Sequence, residues 1–215
     1  MKYKVVAFDW DGTLVDSVDH IVRSMKQAAA KMSLDELPDE RVRNIVGLGM
    51  TEAIQTLYAT LADQDVDVFR SHYGEAFFAT EVGARDLFPH VNIVLEQLSE
   101  RGVRLAVATG KSRRGLDIAL KSTGLQQYFS IERCADETKS KPHPLMLNQI
   151  MSELGVQPHE MLMVGDTDFD MEMAQRAGVD RMGVSFGAQP RARLEKYQPI
   201  VVVDSLNELA KHLMG

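Results

Sequence analysis

Short runs of β-branched and aromatic residues with no polar alternation recur along the chain, beginning with KVVAF at residues 4–8. Such a run marks a strand covered on both faces, because neither set of alternating side chains meets water. Similar runs follow at VRLAVAT (Val103 to Thr109), EMLMVGD (Glu160 to Asp166), RMGVSF (Arg181 to Phe186) and PIVVVD (Pro199 to Asp204). A weaker strand is expected around Ser130 to Glu132. Helix-period segments separate most of these runs. Strands alternating with helices predict an α/β fold, a parallel sheet with helices on both faces.

Between the first strand and the second lie about 90 residues without a strand signal, too many for an ordinary crossover. Val18, Ile21, Val22, Met25 and Met32 fall on one helical stripe. PDERVRNIV predicts a second helix, with Pro38 in its first turn and Gly47 just past its end. Ile54, Leu57, Tyr58 and Leu61 form a third stripe, and Val66, Phe69, Tyr73 and Phe77 a fourth. The expected organisation is a core of residues 1–16 and 86–215 with a small all-α insertion at 17–85. The linkers, near Asp16 to Ser17 and Gly83 to Asp86, are placed to act as a hinge.

The strand ends carry the chemistry. Asp9 and Asp11 project to one side if strand geometry persists, with Trp10 turned away into sheet packing. Two carboxylates sharing a site repel, and a divalent cation is the usual means of keeping them together. Asp166, in VGDTDFD, also ends an apolar run, and Asp170 lies one helical turn on, able to face the same pocket. A calcium loop fails there, because Met171 stands where glycine is needed and Ala177 where a bidentate Glu is required. Asp168 reads as a helix-start charge. Thr109 ends the second strand with a hydroxyl, and the Gly110 turn presents backbone N–H groups suited to an anion. Lys141 supplies a point charge suited to phosphate, whereas His143, between two prolines, has no visible catalytic partner.

Composition narrows the function. A net charge of -7 argues against a nucleic-acid surface, and the basic group Lys111 to Arg114 reads as a solvated helix start. Cys134 is the single cysteine, so neither an intrachain disulfide nor a multi-cysteine zinc site is available, and a reducing compartment fits. MKYKVVAFD is too short in apolar residues for a secretory signal, and no run approaches the about 20 apolar residues of a membrane span. A cytoplasmic protein without membrane or nucleic-acid partners is expected.

Taken in order, Asp9 to Thr13 (DWDGT), the Thr109-Gly110 turn, Lys141 before proline, and Gly165 to Asp170 (GDTDFD) resemble the four motifs of the haloacid dehalogenase superfamily. The helical insertion resembles the cap of its phosphoglycolate phosphatase-like branch. The resemblance implies a Rossmann-like core and a Mg²⁺-dependent phosphatase acting on a small phosphorylated metabolite. It implies Asp9 as nucleophile, forming an aspartyl phosphate, and Asp11 as general acid and base. It places Mg²⁺ on Asp9, Asp166, Asp170 and the backbone carbonyl of Asp11, with Thr109, the Gly110 amide and Lys141 on the phosphoryl oxygens.

An acid at Asp11 favours phosphate esters over dehalogenation, since family dehalogenases lack one there. Trp10 departs from the family's more usual leucine. A phosphosugar mutase on the same scaffold and a phospho-aspartate signalling or binding module remain alternatives. Phosphoglycolate, a sugar phosphate, a nucleotide and pyrophosphate stay open as substrates. Arg43, near the glycine-flanked turn of the insertion, reads as solvated surface rather than an anion contact.

Overall fold

The computed structural model describes residues 2–80 and 82–215. Among them a six-stranded parallel sheet runs in the order β3-β2-β1-β4-β5-β6. Its strands are β1 (Val5–Phe8), β2 (Arg104–Thr109), β3 (Phe129–Cys134), β4 (Met161–Gly165), β5 (Asp180–Val184) and β6 (Val202–Val203). Pleat alternation explains why the central runs are apolar throughout. Val6 and Phe8 of β1 enter one cluster with Leu105, Val107, Leu162 and Val164, whereas Val5 and Ala7 enter another with Ala106, Ala108, Met161 and Met163.

The expected edge strands differ in length. β3 extends beyond Ser130–Glu132, and because only part of it is buried, polar residues at Ser130, Glu132 and Arg133 mask its ends in the sequence. β6 pairs through two residues alone, and β5 ends at Val184 instead of Phe186.

Four helices, α1 (Val18–Lys31), α2 (Asp39–Arg43), α3 (Met50–Leu57) and α4 (Asp63–Phe78), follow β1 and share a separate apolar cluster. α2 stops five residues in, with Pro38 at the N-cap, and Asn44 to Leu48 form turns. Tyr58 and Leu61 of the third stripe lie beyond α3 yet still pack on that cluster. The chain's exit and return run side by side: Asp16 N–H donates to Asp86 O (2.8 Å) and Phe88 N–H to Leu14 O (3.0 Å). Between these bonds Val15 bridges Leu87.

The remaining helices are α5 (Val91–Glu100), α6 (Arg113–Thr123), α7 (Leu145–Leu154), α8 (Asp168–Ala177), α9 (Arg191–Glu195) and α10 (Leu206–Met214). Connections leave the carboxyl ends of β1 and β4 in opposite directions across the sheet, which opens a crevice at that edge. No helix among the described residues is long and apolar enough to cross a membrane.

Candidate active site

β1 and β4 are hydrogen-bonded neighbours, so the residues just past Phe8 and Gly165 emerge side by side. Asp9, Asp166 and Asp170 meet there, with one carboxylate oxygen from each inside a 4.8 Å group, all three buried. Thr167 opens α8 as its N-cap, and the Thr-x-x-Asp capping box fixes the last of them. Asp170 Oδ2 accepts from the Thr167 amide (3.1 Å) and hydroxyl (2.6 Å). Asp166 accepts from the Thr13 hydroxyl (3.0 Å) and the Ala188 amide (2.7 Å).

The Lys141 ammonium, fully buried, lies 2.6 Å from Asp9 Oδ1 and 2.6 Å from Asp170 Oδ1. Burial pulls its pKa down, but the Asp170 and Asp9 carboxylates outweigh that and hold it above its ordinary value. One lysine cannot neutralise three carboxylates. Burial pushes the Asp9 carboxyl up to about 7, opposed by Lys141 and assisted by Asp170 and Asp11. Burial, then Asp9 and Asp170, likewise raise Asp166.

Asp9 Oδ2 is the one buried side-chain oxygen or nitrogen among the described residues without a hydrogen-bond partner. An orphaned acceptor inside an acidic group suits a cation, and the all-oxygen donor set suits a hard divalent ion such as Mg²⁺. The residues fit that metal.

Asp11 stands apart from this group. β1 ends at Phe8, and Asp11 instead bridges Val15, so its carboxylate turns toward the helical insertion. Oδ1 accepts from the Ser17 hydroxyl (2.5 Å), and Oδ2 lies 3.0 Å from the Lys111 ammonium. Lys111 therefore does not belong to a solvated helix start. It lies in the turn between Thr109 and Ser112, the N-cap of α6, and it points inward over the Phe77 ring (4.8 Å). Arg113 and Arg114 alone occupy the helix, Arg113 pairing with Glu137 at 2.9 Å.

Thr109 is buried at the end of β2, and its hydroxyl accepts from the Lys111 amide (3.2 Å). Gly110 follows without room for a side chain: a Cβ there would stand 2.5 and 2.6 Å from the carbonyl oxygens of Leu48 and Gly47. Gly12 has φ of +80°, and a Cβ on it would run into the Asp166 carboxylate. Trp10 turns away as expected, buried beside Phe129.

The turn at Asn44 to Gly49 of the insertion docks on the core. Gly49 N–H donates to Ser140 Oγ (2.7 Å), and Asn44 Oδ1 accepts from Arg193 of α9 (2.6 Å). Arg193 also pairs with Asp168, which Gln189 holds from its other side (2.9 Å). Asp168 thus begins α8, as its position suggested, and in addition anchors this contact. Arg43 pairs with Asp19 on the surface. Nothing in the local sequence announced Ser17, Arg193 or Gln189, which the topology brings in from separate elements. Lys111 had a signal, its place directly after the Thr-Gly turn.

A family model described as haloacid dehalogenase-like hydrolase matches residues 6–184. The chain belongs to that family. It is 32% identical over 216 residues to a phosphoglycolate phosphatase of Vibrio vulnificus, covering 97% of this chain and 95% of that one. It is 29% identical over 212 residues to the pyrophosphatase PpaX of Oceanobacillus iheyensis, covering 97% and 96%. The solved structure of a hydrolase from Pseudomonas syringae shares the fold, with a TM-score of 0.88 at 23% identity over 98% of this chain and 97% of that one. The relatives place this family member among the phosphatases.

Proposed function

We propose that the protein is a Mg²⁺-dependent phosphatase that hydrolyses a small phosphate monoester through an aspartyl phosphate. The observation that carries this reading is the unpartnered Oδ2 of Asp9, a buried carboxylate oxygen at the edge of a cavity that Asp11 also lines. Asp9 is the nucleophile. Its oxygen bonds to phosphorus as the bond from phosphorus to the leaving oxygen breaks, and Asp11 gives that oxygen a proton. Asp11 then takes a proton from water, which attacks the phosphorus of the aspartyl phosphate. Inorganic phosphate leaves and the Asp9 carboxylate returns.

Lys141 holds Asp9 in place and, with the Thr109 hydroxyl and the Gly110 amide, faces the phosphoryl oxygens. Asp9, Asp166 and Asp170, with the Asp11 carbonyl, would hold Mg²⁺, which when bound offsets the repulsion between the nucleophile and an anionic phosphoryl group. Ser17 and Lys111 orient the Asp11 carboxylate toward the cavity. Residues 17–85 act as a cap on the core of residues 1–16 and 86–215, admitting substrate and excluding water.

Phosphate release from a panel of monoesters and pyrophosphate tests the reading, with Mg²⁺ or EDTA. Turnover that needs Mg²⁺ and drops more than about a hundredfold in both Asp9→Asn and Asp11→Asn is the expected result. Undiminished turnover by Asp9→Asn would remove Asp9 from its role. Silence of the folded parent toward the whole panel would remove the activity.

A further inference from the structure

Asp166 and Asp170 reach the acidic group from one short loop, Gly165 to Asp170, between β4 and the first turn of α8. Asp168, midway between them, has its carboxylate committed elsewhere. Gln189, buried in the loop after β5, accepts from the Asp168 amide (2.7 Å) and donates to Asp168 Oδ1 (2.9 Å). Arg193 Nε donates to the other oxygen, Oδ2 (3.1 Å), and Arg193 Nη1 donates to Asn44 Oδ1 of the insertion (2.6 Å). One guanidinium therefore ties the acidic loop to the docking turn.

The same loop meets the insertion again on either side of this tie. A Cβ on Gly47 of the docking turn would stand 3.1 Å from the Thr167 hydroxyl, which donates to Asp170 Oδ2 (2.6 Å). Ala188 packs on the apolar cluster of the insertion, while its amide donates to Asp166 Oδ2 (2.7 Å). Each of these two aspartates thus accepts from a residue that itself lies against the insertion. Without a cation the three carboxylates repel, because Lys141 offsets only part of their charge. A loop carrying two of them spreads unless contacts outside the group restrain it. Restraint already in place when the ion arrives removes an ordering cost from binding. Arg193 restrains the loop without adding net charge, since its guanidinium answers the Asp168 carboxylate.

We infer that Arg193 is a positioning residue for the metal loop, through which docking of the insertion tightens the hold of Asp166 and Asp170 on a divalent cation. The inference rests on the Mg²⁺ reading above. Linkage is reciprocal, so a docked turn that tightens Mg²⁺ binding is itself held more firmly once Mg²⁺ is bound.

Calorimetric titration of the full-length chain with Mg²⁺, without substrate, tests this in two variants that keep the charge of the site. Asn44→Ala removes the acceptor on the insertion. Arg193→Lys keeps a cation opposite Asp168 but offers one ammonium where the bridge needs a fork. Both side chains are partly exposed, so neither change threatens the fold. Each should weaken Mg²⁺ binding at least about fivefold, and the double variant should lie within about twofold of either, since both cut the same bridge. The Gly49 amide, which donates to Ser140 Oγ (2.7 Å), reports the docking itself. Saturating Mg²⁺ should slow its hydrogen exchange at least about fivefold in the parent and less than about twofold in Asn44→Ala.

A parent that binds no Mg²⁺ overturns the metal reading and this inference with it. Parent-like Mg²⁺ affinity in both single variants overturns the inference and leaves the phosphatase reading standing. Losses that add in the double variant would make Asn44 and Arg193 independent, which overturns the bridge. Exchange at Gly49 indifferent to Mg²⁺ in the parent overturns the link to docking.

Discussion

At the scale of single residues, the site is built from groups that have no room to change. Gly12 combines a left-handed backbone with a missing side chain exactly where the Asp166 carboxylate passes, so Gly12→Ala meets both penalties at once. The substitution should cost about 1–3 kcal/mol, lower Tm by several degrees and remove most phosphate release, measured by thermal unfolding and assay on one preparation. Cys134 shows the opposite kind of burial, with no chemistry attached. Burial pushes its thiol up to about 12, Arg113 opposing. A thiol with a raised folded-state pKa favours the fold while protonated, fully below its unfolded value of 9.0 and less and less as pH rises toward 12. At pH 8 a disulfide reagent such as DTNB should leave the native thiol untouched on a timescale that labels the guanidinium-unfolded chain completely. Rapid native labelling would show that Cys134 is accessible.

At the scale of elements, the central strands were legible because burial on both faces leaves an unbroken apolar run, as in β1, β2 and β4. The edge strands β3 and β6 were not, since a partly solvated strand admits Ser130, Glu132 and Arg133, and a two-residue strand has no pattern to read. Motif spacing likewise exposed Asp9, Asp166, Asp170 and Lys141, each at or near a strand end, and they meet in the fold. Strand alternation put Asp9 and Asp11 on one side, and both line the same cavity, although β1 stops one residue before Asp9 and the Asp11 carboxylate pairs with Lys111 outside the group of three aspartates. Tyr73 and Phe77 read correctly as an apolar stripe, but a stripe does not say whether it closes a core or lines a cavity. Docking contacts between elements leave the weakest trace in sequence, and Arg193 is the test of their weight. It joins Asp168 at the start of α8 to Asn44 beside α2. Arg193→Gln should lower kcat/KM by about tenfold, as misplacement of distant positioning groups commonly does. Because the side chain is partly exposed, Tm should fall only about 2–4 °C, near 1 kcal/mol. An unaltered kcat/KM would mean that the docking turn holds its place without this pair.

At the scale of the whole molecule, the acidic group sets stability against function. Asp9, Asp166 and Asp170 carry more negative charge than Lys141 offsets, and the Asp9 carboxyl is raised from 3.8 to about 7. A raised carboxyl favours the fold when protonated, so its contribution is full below the unfolded value and is lost as pH climbs through about 7. In EDTA, Tm should therefore decline between pH 5 and pH 8, and more steeply for the parent than for Asp9→Asn, which has no proton to lose there. Mg²⁺ should reverse that decline, since a bound cation favours the ionised carboxylates. At a free concentration about 100 times its dissociation constant it should contribute about 2.7 kcal/mol, which for a chain of this size is about 5–10 °C in Tm. Asp9→Asn should be at least as stable as the parent in EDTA at pH 8 and gain less from Mg²⁺, so removing the proposed nucleophile should relieve the fold while ending turnover. Thermal unfolding of both proteins across pH, with and without Mg²⁺, measures each part. Parallel pH profiles in EDTA would place the destabilising charge elsewhere in the group, and equal gains from Mg²⁺ would place the cation away from Asp9.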